Sequence, residues 1–527
     1  MKSTMLSKNV LLSRLIQFVP VVGFTVLVVG SSLPLLTTAL RPIDDHEYVA
    51  FELLNPSHNF VDAAVDGWER AIREFGSARW RPAYYVGRAI TTSLLSEATA
   101  PRYVLRLLFA VGVVTLLSNV IVKVFSTRKI SPIDRVGLSF LIGHALLLLG
   151  GWGDVVARLG PQEIFGLLGV AVLASVAAAP DQRLRWLWAA VGTYLCTFKE
   201  NFAIISAFLL VVIILCKPAP ATSRKFKLLL VFSAAWSVVV LSSIWLNGGN
   251  DVYGGSVSLQ NQILILPDFV RSPWFITSVL FSFLAWVFGS PDSRVKVECF
   301  GLLSVIVLFS ERAVYGRHFL GIERYQSLSN IVMVLQFGAL VTVCFDRLLS
   351  GDRQRLRVRA MRATIWLTAS ALTLGVISDW HDTASAARSE AAEWDRALNA
   401  YSQAVAERDS AGLMIIVDLY AAQHLGRYET SLSLSKFLSR GEGSDRDRFL
   451  AVQALPAGIE EADRSVAGLR LSLLRLSESG SLDPWRVGAP VAPLSSLPKS
   501  GEMVCVHMSS SGRAHGFESV CSETFRM

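Results

Sequence analysis

Apolar runs recur along the chain from residue 15 to residue 377, at about 15–40, 105–125, 136–152, 164–179, 184–198, 202–216, 228–246, 274–288, 297–309, 328–345 and 363–377. Runs of roughly 15 to 25 residues match the helix length that crosses a hydrocarbon core. The pattern predicts a polytopic α-helical membrane protein with about 11 transmembrane helices. The first run follows Lys2, Lys8 and Arg14 as a signal peptide would. It is too long for one, and Ala39-Leu40-Arg41-Pro42 makes a poor cleavage site, so it reads as a retained helix with its N-terminus inside.

Two stretches break this rhythm. Residues 41–104 form the longest loop between spans, within which Val61, Ala64, Val65, Trp68, Ile72 and Phe75 recur at helical spacing among Asp62, Asp66, Glu69, Arg70 and Arg73. That pattern predicts an interfacial helix lying flat on the membrane or covering the tops of the spans. Residues 379–527 are more polar, with a helical pattern over 384–408 and an extended Leu413-Met414-Ile415-Ile416-Val417, and read as a small C-terminal α/β domain following a membrane domain of residues 1–378. Cys505 and Cys521 flank an expected hairpin around Ser511-Gly512-Arg513 and are candidates for a disulfide in an oxidising compartment. No internal repeat of the kind seen in many carriers is evident.

Composition agrees with the pattern. Hydrophobic residues make up 52% and charged residues 17% of the 527, with mean hydropathy +0.45, which excludes a disordered regulator, a secreted disulfide scaffold and a cytosolic globule. The net charge of +8 does not point to nucleic acid, because Lys and Arg gather in alternate short loops: Lys123 to Arg135, Arg183 and Arg185, Lys217 to Lys227, Arg294 and Lys296, and 347–362. With single crossings every one of these loops falls inside, and an odd count leaves the C-terminus outside.

Mixed acidic, amide and basic groups collect at the opposite ends of the spans. These are Asp44-Asp45-His46-Glu47, Arg79-Trp80-Arg81-Pro82, Trp152-Gly153-Asp154, Pro161-Gln162-Glu163, Lys199-Glu200-Asn201 and the segment 312–324. Ionisable groups are costly near a bilayer, so this face is where a polar reaction would be housed. A crowded acidic pair such as Asp44-Asp45 suits proton abstraction from a hydroxyl. Acidic pairs at helix ends are also commonly just solvated, and Pro161 followed by an acid is equally what a helix start favours. His144 lies alone in mid-span and reads as a packed side chain bonded to a neighbouring helix. No Cys/His spacing resembles a zinc site, and no Gly-rich phosphate loop supports a nucleotide-sugar donor.

The acidic pair in the first outside loop, Arg79-Trp80-Arg81-Pro82 later in that loop, Lys199-Glu200 at a mid-chain helix end and the span layout together resemble the GT-C class of membrane glycosyltransferases. The likeness covers residues 1–377 in layout and only short strings in residues. It implies an inverting transfer of a sugar from a polyprenyl-phosphate donor to a hydroxyl of a cell-envelope glycan or glycolipid, on the periplasmic side of a bacterial inner membrane. A phosphate leaves as a stabilised anion, so one base suffices where ordinary glycosides also need an acid. Asp44 or Asp45 is the expected base. Arg81, Lys199, Arg317 and Arg324 are the expected cationic partners of the donor phosphate, and His46, Gln162, Glu163, Glu200 and His318 the expected contacts to sugar or acceptor. Local pairing of Lys199 with Glu200, and of Arg324 with Glu323, is the plainer reading of those residues. No metal is expected, although a divalent cation on Asp44, Asp45 and Glu163 is the alternative. Competing readings are a polysaccharide polymerase or O-antigen ligase using diphosphate-linked donors, which Gly316-Arg317-His318 and Arg324 would suit, and a non-enzymatic lipid or sugar transporter.

Overall fold

The computed structural model describes residues 18–40, 48, 59–75, 80–95, 98–126, 130–178, 185–216, 220–246, 266–267, 270–315, 323–349, 355–406, 413–417, 449–454, 502–510 and 517–526. Each apolar run of the sequence falls on a helix. In chain order the helices are α1 Phe18–Ser31, α2 Phe60–Phe75, α3 Pro82–Leu95, α4 Thr99–Phe125, α5 Pro132–Leu149, the short α6 Trp152–Val156, α7 Glu163–Ala178, α8 Arg185–Cys196, α9 Glu200–Cys216, α10 Pro220–Leu246, α11 Pro273–Phe288, α12 Pro291–Tyr315, α13 Glu323–Leu349 and α14 Arg355–Ala406. Among the described residues, four helices, Thr99–Phe125, Pro132–Leu149, Gln326–Leu349 and Leu356–Ser389, are long and apolar enough to cross a membrane, and shorter apolar helices accompany them. The chain is a helical membrane protein.

Local chemistry sets the helix starts. Ser131 and Ser272 cap helices that begin with Pro132 and Pro273, where proline loses no needed N–H. Ser131 Oγ accepts from Asp134 N at 3.2 Å and donates to Asp134 Oδ2 at 2.7 Å. The same carboxylate takes a two-pronged grip from Arg362 of α14, Nε to Oδ1 at 2.6 Å and Nη2 to Oδ2 at 2.7 Å. One ion pair therefore fastens the start of α5 to the start of α14.

Small residues let the helices approach closely. A Cβ on Gly169 of α7 would stand 2.6 Å from the Gly192 carbonyl oxygen and 2.7 Å from Cys196 Sγ on α8. The core runs through α4, α5, α7, α9 and α13, with Tyr103, Val114, Leu138, Ile164, Phe202 and Phe345 almost wholly enclosed. His144 joins α5 to α14, as expected of a packed histidine. Its Nδ1 is 2.6 Å from Phe140 O and its Nε2 is 3.1 Å from Thr373 Oγ1. The Thr373 hydroxyl also donates to Ala369 O at 2.9 Å, so the contact ties the imidazole to the α14 backbone through one side chain.

The amphipathic helix expected in the first loop is present as α2, but its apolar stripe is not what packs on the protein. Ala63 and Ala71 are buried against Tyr84 and Tyr85 of α3, and Gly67 lies so close to the Tyr85 and Val86 backbone that a Cβ there would be 2.7 Å away. Val61, Val65, Trp68 and Ile72 are about half exposed or more. The apolar stripe thus faces away from α3, while the small residues of α2 make the close contact.

α14 differs from the expected break after residue 377. It is one helix of 52 residues, and the boundary expected between 378 and 379 lies inside it. From Val376 to Ala406 the sequence holds neither glycine nor proline, so nothing stops the helix where its composition turns polar. Beyond it, β1 Leu413–Val417, β2 Phe449–Ala454, β3 Glu502–Ser510 and β4 Phe517–Arg526 form one sheet in the order β2-β1-β3-β4. β1 runs parallel to both β2 and β3, and β3 and β4 pair antiparallel. The described residues of this region are strands alone.

Candidate functional site

The site is built around the irregular segment 157–162 between α6 and α7. Gly151 (φ 68°) occupies the left-handed region, which glycine enters without cost, and turns the chain from α5 into α6. Carbonyl groups of an irregular buried segment need donors from elsewhere. Arginines and tyrosines supply them here. Arg106 of α4 donates to Val155 O at 2.6 Å, to Pro161 O at 2.7 Å and also to Leu159 O. Arg88 of α3 donates to the Leu159 and Gly160 carbonyls. Tyr103 donates to Ala157 O at 3.4 Å and Tyr48 to Leu159 O at 3.3 Å.

Two arginines lie against the ring of Tyr48. The guanidinium carbons of Arg88 and Arg102 lie 4.4 Å and 4.0 Å from its ring centroid, cation–π contacts that gain strength in a desolvated setting. Arg88 also stands 4.6 Å from the Tyr84 ring. The first loop is thereby tied to α3, α4 and the 157–162 segment together.

Next to this clamp the structure gathers five of the residues expected from sequence. Lys199 Nζ is 3.0 Å from Glu163 Oε1, their side chains 5% and 4% exposed. Arg81 Nε is 3.6 Å from Glu200 Oε1, with side chains 17% and 0% exposed. Gln162, with its amide turned to suit its neighbours, accepts from Arg81 Nη1 at 2.6 Å and donates to Phe198 O at 2.7 Å. Arg81 Nη2 donates to the Tyr85 hydroxyl at 3.2 Å, and its guanidinium faces the Tyr84 ring at 5.2 Å. Trp80 stacks on Trp236 of α10 at 5.0 Å.

The expected pairing of Lys199 with Glu200 is replaced by these two cross-helix pairs. Neighbouring residues at a helix start project about 100° apart, so Lys199 turns to α7 while Glu200 turns to Arg81. Glu163 and Glu200 both occupy first turns, Glu163 of α7 and Glu200 of α9, where the helix dipole favours a carboxylate. Of the two cations Arg81 is the more accessible.

Glu311 of α12 completes the cluster and was not singled out from sequence. It is 1% exposed, receives a hydrogen bond from Ser329 of α13 and interacts electrostatically with Glu163. Its signal was its place two residues beyond an apolar run. Arg88, Arg102, Arg106 and Tyr48 also escaped notice, because arginines at a loop edge look like ordinary flanking charge. Asn201 is 1% exposed, and its Oδ1 has no hydrogen-bond partner among the described residues.

The remaining expected residues are not placed by this cluster. Asp44, Asp45, His46, Arg317 and His318 lie outside the described residues. Arg324 lies in the first turn of α13, with only its backbone described. Among the described residues no three His, Cys, Asp or Glu side chains gather as a metal site would require.

No protein-family model matches the chain, and no curated protein matches it.

Proposed function

We propose that the protein is an inverting glycosyltransferase that moves a sugar from a polyprenyl-phosphate donor to a hydroxyl of a cell-envelope glycan or glycolipid. The observation that carries the reading is the meeting of Arg81, Gln162, Glu163, Lys199 and Glu200 at one end of the helices. These residues come from the first loop and from the starts of α7 and α9; the sequence likeness covers Arg81, Lys199 and Glu200, and the polar start of the α7 run adds Gln162 and Glu163 as sugar contacts. Asp45 is tethered to the clamped Tyr48 by three residues, a reach of at most about 11 Å.

In this reading Asp44 or Asp45 takes the proton of the acceptor hydroxyl as its oxygen attacks the anomeric carbon. The bond from that carbon to the phosphate oxygen breaks, and the lipid phosphate leaves with the electron pair. Arg81, the more exposed cation, holds the departing phosphate with a fork matched to its oxygens. Lys199, neutralised by Glu163, contributes position more than charge. Gln162 and Glu200 hold Arg81 in place. The proposal includes about eleven crossings, a cytoplasmic N-terminus, a periplasmic C-terminal α/β domain over 379–527 and the bacterial inner membrane as location.

The test is incubation of the purified protein with a panel of polyprenyl-phosphate sugars, followed by mass spectrometry of released lipid phosphate. Release is expected with one sugar and is expected to vanish in Asp44→Asn with Asp45→Asn. No release with any sugar rejects the reading. The buried carboxyls Glu163, Glu200 and Glu311 favour a second one, a transporter, since such groups mark substrate paths in membrane proteins. Their position at helix ends, away from mid-span, supports the enzyme instead.

A further inference from the structure

A small cavity of about 10 Å³ lies where the end of α1, α6 and α14 meet, which is room for one occupant the size of a water molecule. Each wall has a local origin. α1 ends at Ser31 and a 3₁₀ turn, Leu33–Thr37, follows it. Pro34 cannot supply the N–H that would continue the helix, so Ser32 stands at the break. Trp152, Gly153, Val156 and Ala157 give the cavity one flank of α6, and Asp379, Trp380, Thr383 and Ala384 one flank of α14. Both sets have the spacing of residues that share a helix face.

The groups left to an occupant are oxygens. Ser32 is wholly buried, its N–H donates to Val28 O at 3.1 Å and its carbonyl accepts from Leu35 N at 2.9 Å. Its Oγ has no hydrogen-bond partner among the described residues, a costly state for an enclosed hydroxyl unless something in the adjoining space answers it. A Cβ on Gly153 would be 3.9 Å from Thr383 Oγ1, so the threonine hydroxyl reaches across to α6. The two indoles of the lining are engaged elsewhere, Trp152 Nε1 with Leu146 O at 2.7 Å and Trp380 Nε1 with Leu147 O at 3.0 Å. The cavity meets the side of α6, whose peptide dipoles run along the helix axis.

Asp379 supplies the charge. It is exposed, so the cavity can be reached from solvent, and the carboxylate of Asp382 acts on it electrostatically. No Lys, Arg or His lines the cavity among the described residues. A water would answer the Ser32 hydroxyl and leave the repulsion between the two carboxylates as it was; a cation answers both. One carboxylate with two hydroxyls is a set of hard oxygen ligands, and divalent ions take several carboxylates where this lining has one. A space of one water suits the smaller of the common alkali ions. We infer that the cavity binds a sodium ion through Ser32 Oγ, Thr383 Oγ1 and the Asp379 carboxylate. The ion ties the break after α1 and the flank of α6 to α14, and it is independent of the proposed sugar transfer.

Thermal unfolding of the purified full chain in detergent, titrated with sodium, potassium or choline chloride at constant ionic strength, tests the inference. Sodium is expected to raise the Tm of wild type along a saturating curve, with a smaller rise for potassium and none for choline. Asp379→Asn, at an exposed position, is expected to fold as wild type does in choline and to lose the sodium-dependent rise. Ser32→Ala removes a hydroxyl that has no partner and is expected to shift the sodium curve to higher concentration without lowering the Tm in choline. Should either variant fold poorly, equilibrium binding of radioactive sodium to wild type is expected to give one ion per chain, displaced by unlabelled sodium and not by choline. The inference is overturned if the three salts act alike on wild type, which would leave the cavity to water, if Asp379→Asn keeps the full sodium rise, or if no labelled sodium is retained.

Discussion

Lys199 Nζ stands 3.0 Å from Glu163 Oε1, and the two residues bind the start of α9 to the start of α7 with almost no access to water. Removing one partner of such a pair strands a charge where solvent cannot reach it. Glu163→Gln and Lys199→Met are each expected to lower stability by about 3–5 kcal/mol. The double variant is expected to lose clearly less than the sum, as thermal unfolding in detergent would show. Additive losses would mean that the two charges are not coupled.

Arg81 donates to Gln162 and Tyr85 and faces the Glu200 carboxylate at 3.6 Å. Lysine keeps the charge and loses the planar fork. Under the proposed transfer, Arg81→Lys is expected to lower kcat/KM by about 10- to 100-fold, equivalent to about 1.4–2.8 kcal/mol. Steady-state release of lipid phosphate measures this. Activity equal to wild type would take the donor phosphate away from Arg81.

The fold and the site differ in how much of each the sequence reveals. Run length and hydropathy located the helices, because a hydrocarbon environment demands long apolar segments with satisfied backbones. The continuity of α14 was missed because its change to polar composition resembles a boundary, although only a breaker residue would have made one. Within the site, Gln162-Glu163 and Lys199-Glu200 stood out as polar ends of apolar runs. That Lys199 faces Glu163, 36 positions away, depends on the packing of α7 against α9 and has no local signature. Arg88, Arg102 and Arg106 were unreadable for a related reason. Arg88 and Arg106 meet backbone carbonyls of residues 155–161 and Arg102 the ring of Tyr48, partners that no side-chain pattern advertises.

Gly169 and Gly30 test opposite consequences of adding a methyl group. At Gly169 the new atom meets the Gly192 backbone and Cys196, whereas at Gly30 it meets open space. Gly169→Ala is expected to destabilise by about 1–3 kcal/mol, the usual cost of overpacking. Gly30→Ala is expected to be neutral or stabilising by up to about 1 kcal/mol through helix propensity. Thermal unfolding of the two variants side by side decides the matter.

Val65 belongs to the unpartnered stripe of α2 and is 50% exposed. A nitroxide at Val65→Cys is expected to relax faster with oxygen, which partitions into lipid, than with a water-soluble nickel chelate. The label at Asp66→Cys, one position on, is expected to show the reverse. Equal accessibility at both sites would place α2 in water.

Cys505 of β3 falls between the paired positions Val504–Thr524 and Val506–Val520, and Cys521 of β4 follows Val520. The two strands thus bring the cysteine positions to the same stretch of the ladder, as the sixteen-residue spacing alone did not require. Peptide mapping without reductant is expected to recover them as one cross-linked pair. Recovery of two alkylatable thiols would exclude the bridge.

The uninterrupted α14 has a mechanical corollary. Trp380, Ala384, Ala387 and Ala391 still pack on the rest of the fold, and the 15 residues of the helix that follow Ala391 make a rod of about 20 Å. Each residue inserted or deleted there would lift or lower whatever the rod carries by about 1.5 Å and swing it by about 100°. Length variants of the rod would therefore tune bearing and height independently of any surface chemistry.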